Sequence, residues 1–167
     1  LELHPLAGLD RNTVPVLEDW NKDGKPDLLL GSASGKIYGY ENRGEKEPDW
    51  WPVDLSVLDT NQRRFSAPAL GDLDGDGDLD LISGNRQGRL EYMENRGTAE
   101  KPGWVFADVN LAQIDVGSYS IPRLWDHDGD EDLDLFVGNS RGRVVYYENK
   151  GSREKPKFII RSTRFAG

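Results

Sequence analysis

The side chains best equipped for chemistry in this chain are aspartates, and they cluster in three nine-residue loops. These are Asp19 to Asp27 (DWNKDGKPD), Asp72 to Asp80 (DLDGDGDLD) and Asp126 to Asp134 (DHDGDEDLD). Oxygen side chains at positions 1, 3, 5 and 9, with a backbone carbonyl at position 7, are what a hard, oxygen-preferring cation such as Ca²⁺ requires of one short segment. Without a cation, that many carboxylates in so few residues would repel one another. The loops recur after 53 and 54 residues, so whatever positions them is itself repeated.

The flanking sequence repeats with them. Each loop follows a short strand-like run opened by proline: Pro15-Val-Leu-Glu, Pro68-Ala-Leu-Gly and Pro122-Arg-Leu-Trp. Proline at a strand's first residues costs the fewest ladder hydrogen bonds. After each loop comes an apolar run (DLLLG, DLISG, DLFVG), a four-residue turn ending in glycine (SASG, NRQG, NSRG), and a second strand-like run at Lys36–Tyr40, Arg89–Met93 and Arg143–Tyr147. Apolar runs joined by glycine-ended turns are hairpin signals. A Glu-Asn-Arg/Lys-Gly segment then leads to Pro48, Pro102 or Pro156, and to a weaker strand opened by Trp50, Trp104 or Phe158. Four antiparallel strands per repeat of this length is the arithmetic of a β-propeller blade. The expected fold is therefore all-β, with three four-stranded blades and an incomplete ring in one chain. The expected division is an outer strand of a neighbouring or preceding blade at 1–14, then blades at 15–67, 68–121 and 122–167. A unit of this size cannot cover its own apolar face, so each must be buried by the next.

The run from Ala67 to Asn85 (APALGDLDGDGDLDLISGN), its two copies, and the later Glu-Asn-Arg-Gly resemble the FG-GAP or VCBS-type propeller repeats of integrin α-subunit heads and of secreted bacterial and fungal proteins. The resemblance covers nearly the whole chain. It implies that each loop joins the first and second strands of a blade and holds Ca²⁺ at one face. Carried over residue by residue, the first site would use Asp19, Asn21, Asp23, the Lys25 carbonyl and Asp27. The second would use Asp72, Asp74, Asp76, the Asp78 carbonyl and Asp80. The third would use Asp126, Asp128, Asp130, the Asp132 carbonyl and Asp134. One departure stands out: the position-6 glycines Gly24 and Gly77 become Glu131 in the third loop, which implies about 1 kcal/mol of backbone strain or an altered loop. EF-hand and dockerin-like loops fit less well, because position 12 is Leu30, Ser83 or Val137 rather than a bidentate Glu.

Composition narrows the class. There is no cysteine, so an extracellular domain of this kind would be stapled by metal rather than by disulfides. The net charge of −9 carries no basic stripe for phosphate neutralisation, which argues against nucleic-acid partners, and no apolar run is long enough to insert in a membrane. An enzyme is not expected. His4 and His127 lack a nucleophile partner, and the glycines of the acidic loops sit among carboxylates that would repel phosphate. The recurring aromatics (Tyr38, Tyr40, Tyr92, Tyr146, Tyr147, Trp50, Trp104) are expected in packing between blades.

Recognition falls instead to non-repeated residues on the face opposite the acidic loops. These are Arg11, Asn12, Asn61, Arg63, Arg64, Phe65 and Tyr119 from the connections between blades, with Asn85, Arg86, Asn139 and Arg141 from the hairpin turns. Such a set suits a sugar or an acidic polymer. The whole reads as an extracellular, calcium-stabilised segment for binding, adhesion or assembly, with a lectin and a filament subunit as alternatives and a polysaccharide-active enzyme as the weakest. The chain begins with Leu, so a processed or excised segment is expected, either completed by further blades or self-associating through its open ends.

Overall fold

The computed structural model describes residues 10–58, 64–108 and 111–162. These residues form three four-stranded antiparallel sheets, each built from consecutive strands. Sheet 1 comprises β1 (Val14–Glu18), β2 (Asp27–Gly31), β3 (Ile37–Asn42) and β4 (Trp50–Val53). Sheet 2 comprises β5 (Ser66–Gly71), β6 (Asp80–Asn85), β7 (Leu90–Asn95) and β8 (Trp104–Asp108). Sheet 3 comprises β9 (Ile121–Trp125), β10 (Asp134–Gly138), β11 (Val144–Asn149) and β12 (Phe158–Ser162). Propeller-type blades are therefore present, and no ring closes within the described residues. Of the proposed outer strand at 1–14, residues 1–9 lie outside them, and Val14 opens β1.

The sheets stack face to face through their alternating residues. Leu29 and Ile37 of sheet 1 meet Leu70, Leu81, Met93 and Trp104 of sheet 2, and Trp20 packs edge-on against Trp104 at 6.0 Å between ring centres. Ile82 and Leu90 of sheet 2 meet Leu135, Val137, Val145 and Tyr147 of sheet 3. Period-2 alternation sends neighbouring residues such as Leu81 and Ile82 to opposite faces, so one strand serves two interfaces. Both are completely buried. The recurring aromatics join these clusters: Trp104 and Tyr147 in the two interfaces, Tyr40 with Tyr38 and Trp50 on sheet 1.

The innermost strands touch across the sheets through a repeated joint. Ser66 accepts the Ser32 N–H on its Oγ at 2.8 Å and donates to the Lys36 carbonyl at 2.7 Å, while its own N–H bonds the Ser32 carbonyl at 2.8 Å. Ser120 repeats this against Asn85 and Arg89, at 2.9, 2.7 and 3.1 Å. The backbone reaches so close only because glycine faces it. A Cβ on Gly31 would lie 2.2 Å from the Ser66 carbonyl oxygen, and one on Gly84 2.0 Å from that of Ser120. The residue before each serine, Phe65 or Tyr119, takes positive φ (68° and 53°), as Asn12 does at the matching place in sheet 1 (54°). That left-handed residue turns the chain into the joint, at a steric cost that only surrounding packing sustains.

Strands β3, β7 and β11 run two residues further than the sequence suggests, taking in the Glu-Asn pair. The reason is a buried bond from the asparagine N–H, described with the acidic loops. Gly84→Ala is expected to force the joint open and cost about 3 kcal/mol, the upper range for overpacking a close-packed site. Thermal melting against the parent chain measures it, and an unchanged midpoint would contradict the close approach.

Candidate metal centres and the turn face

All three acidic loops sit at the same end of their sheets, joining first strand to second. In loop two the carboxylate oxygens of Asp72, Asp74 and Asp76 can lie within 4.8 Å of one another, and in loop three those of Asp126, Asp128 and Asp130 do the same. In loop one Asn21 replaces the middle carboxylate. Side chains inside each loop fold the backbone around themselves. Asp19 accepts from the Asp23 and Gly24 N–H groups at 3.1 and 2.8 Å, Asp72 from Gly75 at 2.7 Å, and Asp126 from Gly129 and Glu131 at 2.7 and 3.2 Å.

Position 9 is different in kind. Asp27, Asp80 and Asp134 are all but completely buried, and one oxygen of each accepts the N–H of Asn42, Asn95 or Asn149 at 2.7–2.8 Å. The other oxygen of Asp80 and Asp134 takes a tyrosine hydroxyl, from Tyr92 or Tyr146, at 3.0 Å, and also the N–H of loop residue Leu73 or His127. Gly39 stands where those tyrosines would be in sheet 1, and Asp27 Oδ2 has no hydrogen-bond partner. Each asparagine then uses its own Oδ1 to hold both ends of the following loop: Asn42 on the Gly44 and Asp49 N–H groups, Asn95 on Gly97 and Gly103, Asn149 on Gly151 and Lys157. The Glu-Asn-Arg/Lys-Gly signature is thus a clamp anchored on the last residue of the acidic loop.

Position 7 carries a carboxylate with one unbonded oxygen in loops two and three. Asp78 Oδ1 and Asp132 Oδ1 are buried with no hydrogen-bond partner. The Asp78 carboxyl is pushed up by burial and by Asp76, Asp74 and Asp72, and the Asp132 carboxyl to about 6 by burial and by Asp130 and Asp134. Burial also raises Asp27 and Asp80 to about 6, and raises Asp74 and Asp128. Partnerless buried oxygens beside converging carboxylates fit a hard divalent cation, which would supply the missing positive charge. Sequence reasoning assigned position 7 a carbonyl role; the side-chain oxygens of Asp78 and Asp132 are further donors it did not single out.

Strain is distributed unevenly. Positions 4 and 6 take positive φ in every loop, and only loop two has glycine at both, Gly75 at 77° and Gly77 at 94°. Loop one places Lys22 at 60° and loop three Glu131 at 71°. The strain expected at Glu131 is therefore present, and Lys22 at position 4 of loop one is a second instance. Position 2, which is not a ligand position, anchors the loops instead: Trp20 and Leu73 are buried between sheets. Across sheets, Arg153 pairs with Asp72 at 2.5 Å.

At the opposite end lie the turns and inter-sheet connections. Phe65 and Tyr119 meet edge to face at 5.2 Å, and the Arg86 guanidinium lies 5.8 Å from the Tyr119 ring centre. Asn12, Phe65, Tyr119, Ile121, Asn139 and Ser140 line an open cavity of about 420 Å³. Arg11, Arg64 and Arg141 are exposed on this side without lining it. Asn85 and Asn139 are spent internally: the Oδ1 of Asn85 accepts from Gln87 and Arg89 and that of Asn139 from Arg141 and Arg143, while their amides donate to Glu91 and to the Val116 carbonyl. Asn61 and Arg63 lie outside the described residues.

Glu131→Gly and Lys22→Gly are each expected to stabilise the chelator-treated protein by about 1 kcal/mol, because glycine occupies positive φ without the Cβ penalty. Melting curves in excess EDTA isolate this backbone effect from metal binding. A loss of stability in both variants would show that the loops are not strained there.

Comparison with known proteins agrees with this geometry. The FG-GAP-like repeat family matches residues 19–83, which contain the first two acidic loops and the hairpin between them. Human integrin alpha-7 is 27% identical over 146 residues, covering 79% of this chain and 12% of the integrin, so the chain spans a small fraction of that relative's length. No solved structure matches at comparable significance. Residues 19–83 are thus similar to the FG-GAP-like repeat family, and loop, hairpin and asparagine clamp recur in all three sheets.

Proposed function

We propose that the chain is an extracellular, calcium-stabilised propeller segment that works by binding, in adhesion or assembly, and not by catalysis. The observation that carries this reading is the buried, partnerless carboxylate oxygen at Asp78 and Asp132 beside three converging aspartates. Calcium would be held by Asp19, Asn21, Asp23, Lys25 and Asp27, by Asp72, Asp74, Asp76, Asp78 and Asp80, and by Asp126, Asp128, Asp130, Asp132 and Asp134. Its contribution would be electrostatic and structural. It would neutralise the loop, and through the position-9 aspartate and the asparagine clamp it would brace the hairpin of each sheet. The integrin similarity favours attachment to a partner. The extracellular placement rests on the same similarity and on millimolar calcium being available there.

A glycan-binding reading is favoured by one feature, the cavity that sets Phe65 and Tyr119 beside Asn12 and Ser140. An aromatic wall with a few polar groups is the usual makeup of a small-molecule site.

Calcium at about one hundred times its dissociation constant should stabilise the fold by about 2.7 kcal/mol per site. Melting with calcium, with magnesium and with EDTA is expected to rank calcium first. Asp76→Ala should lose more calcium-dependent stabilisation than Asp130→Ala, because loop two is the unstrained one. Melting curves indifferent to calcium would overturn the reading. For the second reading, a glycan array should register binding that Tyr119→Ala abolishes; silence across the array would leave the aromatic wall a packing feature.

A further inference from the structure

Loop two is closed differently from its two copies. In loops one and three both oxygens of the first aspartate accept N–H groups of the loop itself, and position 6 supplies one of them: Gly24 to Asp19 at 2.8 Å, Glu131 to Asp126 at 3.2 Å. In loop two the Gly75 N–H takes one oxygen of Asp72 at 2.7 Å, and the guanidinium of Arg153 holds the other at 2.5 Å. Arg153 lies in the outer loop of sheet 3, between β11 and β12, 81 residues further along the chain. The place that the loop's own backbone fills in the other two repeats is filled here from the neighbouring sheet.

The backbone supports this contact. A Cβ on Gly75 would lie 2.9 Å from Cγ and 3.6 Å from Cα of Glu154, so the sheet 3 loop rests directly on loop two. Ser152 and Lys155 exchange backbone hydrogen bonds at 3.2 and 3.1 Å, and the Ser152 hydroxyl bonds the Glu154 carboxylate at 2.9 Å, which holds this arm in a tight turn. The Asp72 side chain is only 12% exposed, against 55% for Arg153. Sheet 2 carries the same arm in the same register, Asn95-Arg-Gly-Thr-Ala-Glu-Lys-Pro against Asn149-Lys-Gly-Ser-Arg-Glu-Lys-Pro, with Ala99 in the place of Arg153. Loop one therefore receives no arginine from sheet 2 at that place, and it closes on Gly24.

We propose that Arg153 is the resident counter-ion of loop two and competes there with the divalent cation for Asp72, so that cation occupancy and the grip of sheet 3 on sheet 2 oppose each other. This rests on the calcium reading of the loops. The sign follows from charge. Loop two carries Asp72, Asp74, Asp76, Asp78 and Asp80. In the empty loop Arg153 faces all of them; with Ca²⁺ bound, two of those charges are cancelled and a like charge stands close by, so Arg153 stabilises the empty loop more than the filled one. A group that favours the empty state lowers the affinity of the site, and by reciprocity the cation weakens the hold of the arm by the same factor. Lys22 also approaches, its Nζ 3.8 Å from a Cβ on Gly77, but it is exposed and is screened by solvent and salt.

Calorimetric titration of calcium into the full chain tests this, with Asp76→Ala as the background that lacks loop two. Arg153→Met removes the charge and keeps most of the side chain's length. It is expected to raise the calcium affinity of loop two about threefold, the size that a half-exposed ion pair supports, and to lower the melting point in EDTA. Arg153→Lys, which keeps the charge, should restore the parent affinity. In the Asp76→Ala background, Arg153→Met should leave the remaining sites as they are. A loop-two affinity that is unchanged in Arg153→Met would overturn the proposal and reduce the pair to a solvated surface contact. A fall in affinity would overturn it too, and would show that Arg153 holds Asp72 in place for the cation. Equal gains in the Met and Lys variants would trace the effect to packing and not to charge. A parent chain that takes up no calcium at all would sink the calcium reading, and this proposal with it.

Discussion

Each sheet depends on one buried carboxylate: Asp27, Asp80 or Asp134, accepting the N–H of an asparagine at the end of the neighbouring strand. A charge withdrawn from water this completely is costly unless it is met by donors or a cation. Here the backbone and, in two sheets, a tyrosine hydroxyl meet part of the cost. The consequence is mechanical: the last residue of the acidic loop, the first of the second strand and the last of the third become one rigid corner. The asparagine amide oxygen carries that corner on into the outer loop. Anything that binds the acidic loop therefore acts on the whole sheet, which is why a cation at a surface loop can govern stability.

The two ends of the molecule divide the work. Acidic loops gather at one end, where the conformation is set by carboxylates bonding their own backbone. The turns and connections gather at the other, where positive-φ residues Asn12, Phe65 and Tyr119 steer the chain from sheet to sheet. Phe65 and Tyr119 are poor choices for that conformation on local grounds, and their edge-to-face contact offsets the cost. Side chains that steer the backbone also wall the open cavity, so recognition at that end would be built from the same residues that hold the sheets together.

Much of this was legible in the sequence. The strand boundaries followed from period-2 alternation and glycine-ended turns, and the loops from the spacing of oxygen donors, because both signals are local. What stayed hidden depends on partners far away in the chain. Nothing near Asn95 indicates that its N–H will meet Asp80, so the last two residues of each third strand are invisible to local pattern. Asn85 and Asn139 looked like exposed turn residues, but their amides close their own turns and leave little for a ligand. Trp20 and Leu73 sit at a non-ligand position of an acidic loop and still enter the core, since the loop crosses the edge of the sheet interface. The hydroxyl-X-Pro strand openings were visible as prolines, yet their role needed the glycine opposite them, which only the packed sheets bring near.

The central claim is that the loops are cation sites built into the fold and not merely acidic turns. Native mass spectrometry of the full chain in calcium counts the ions directly. The account predicts three calcium ions per chain, falling to two in Asp76→Ala with loops one and three still loaded. A chain that carries no calcium at millimolar concentration, or the same number with and without Asp76, would contradict it.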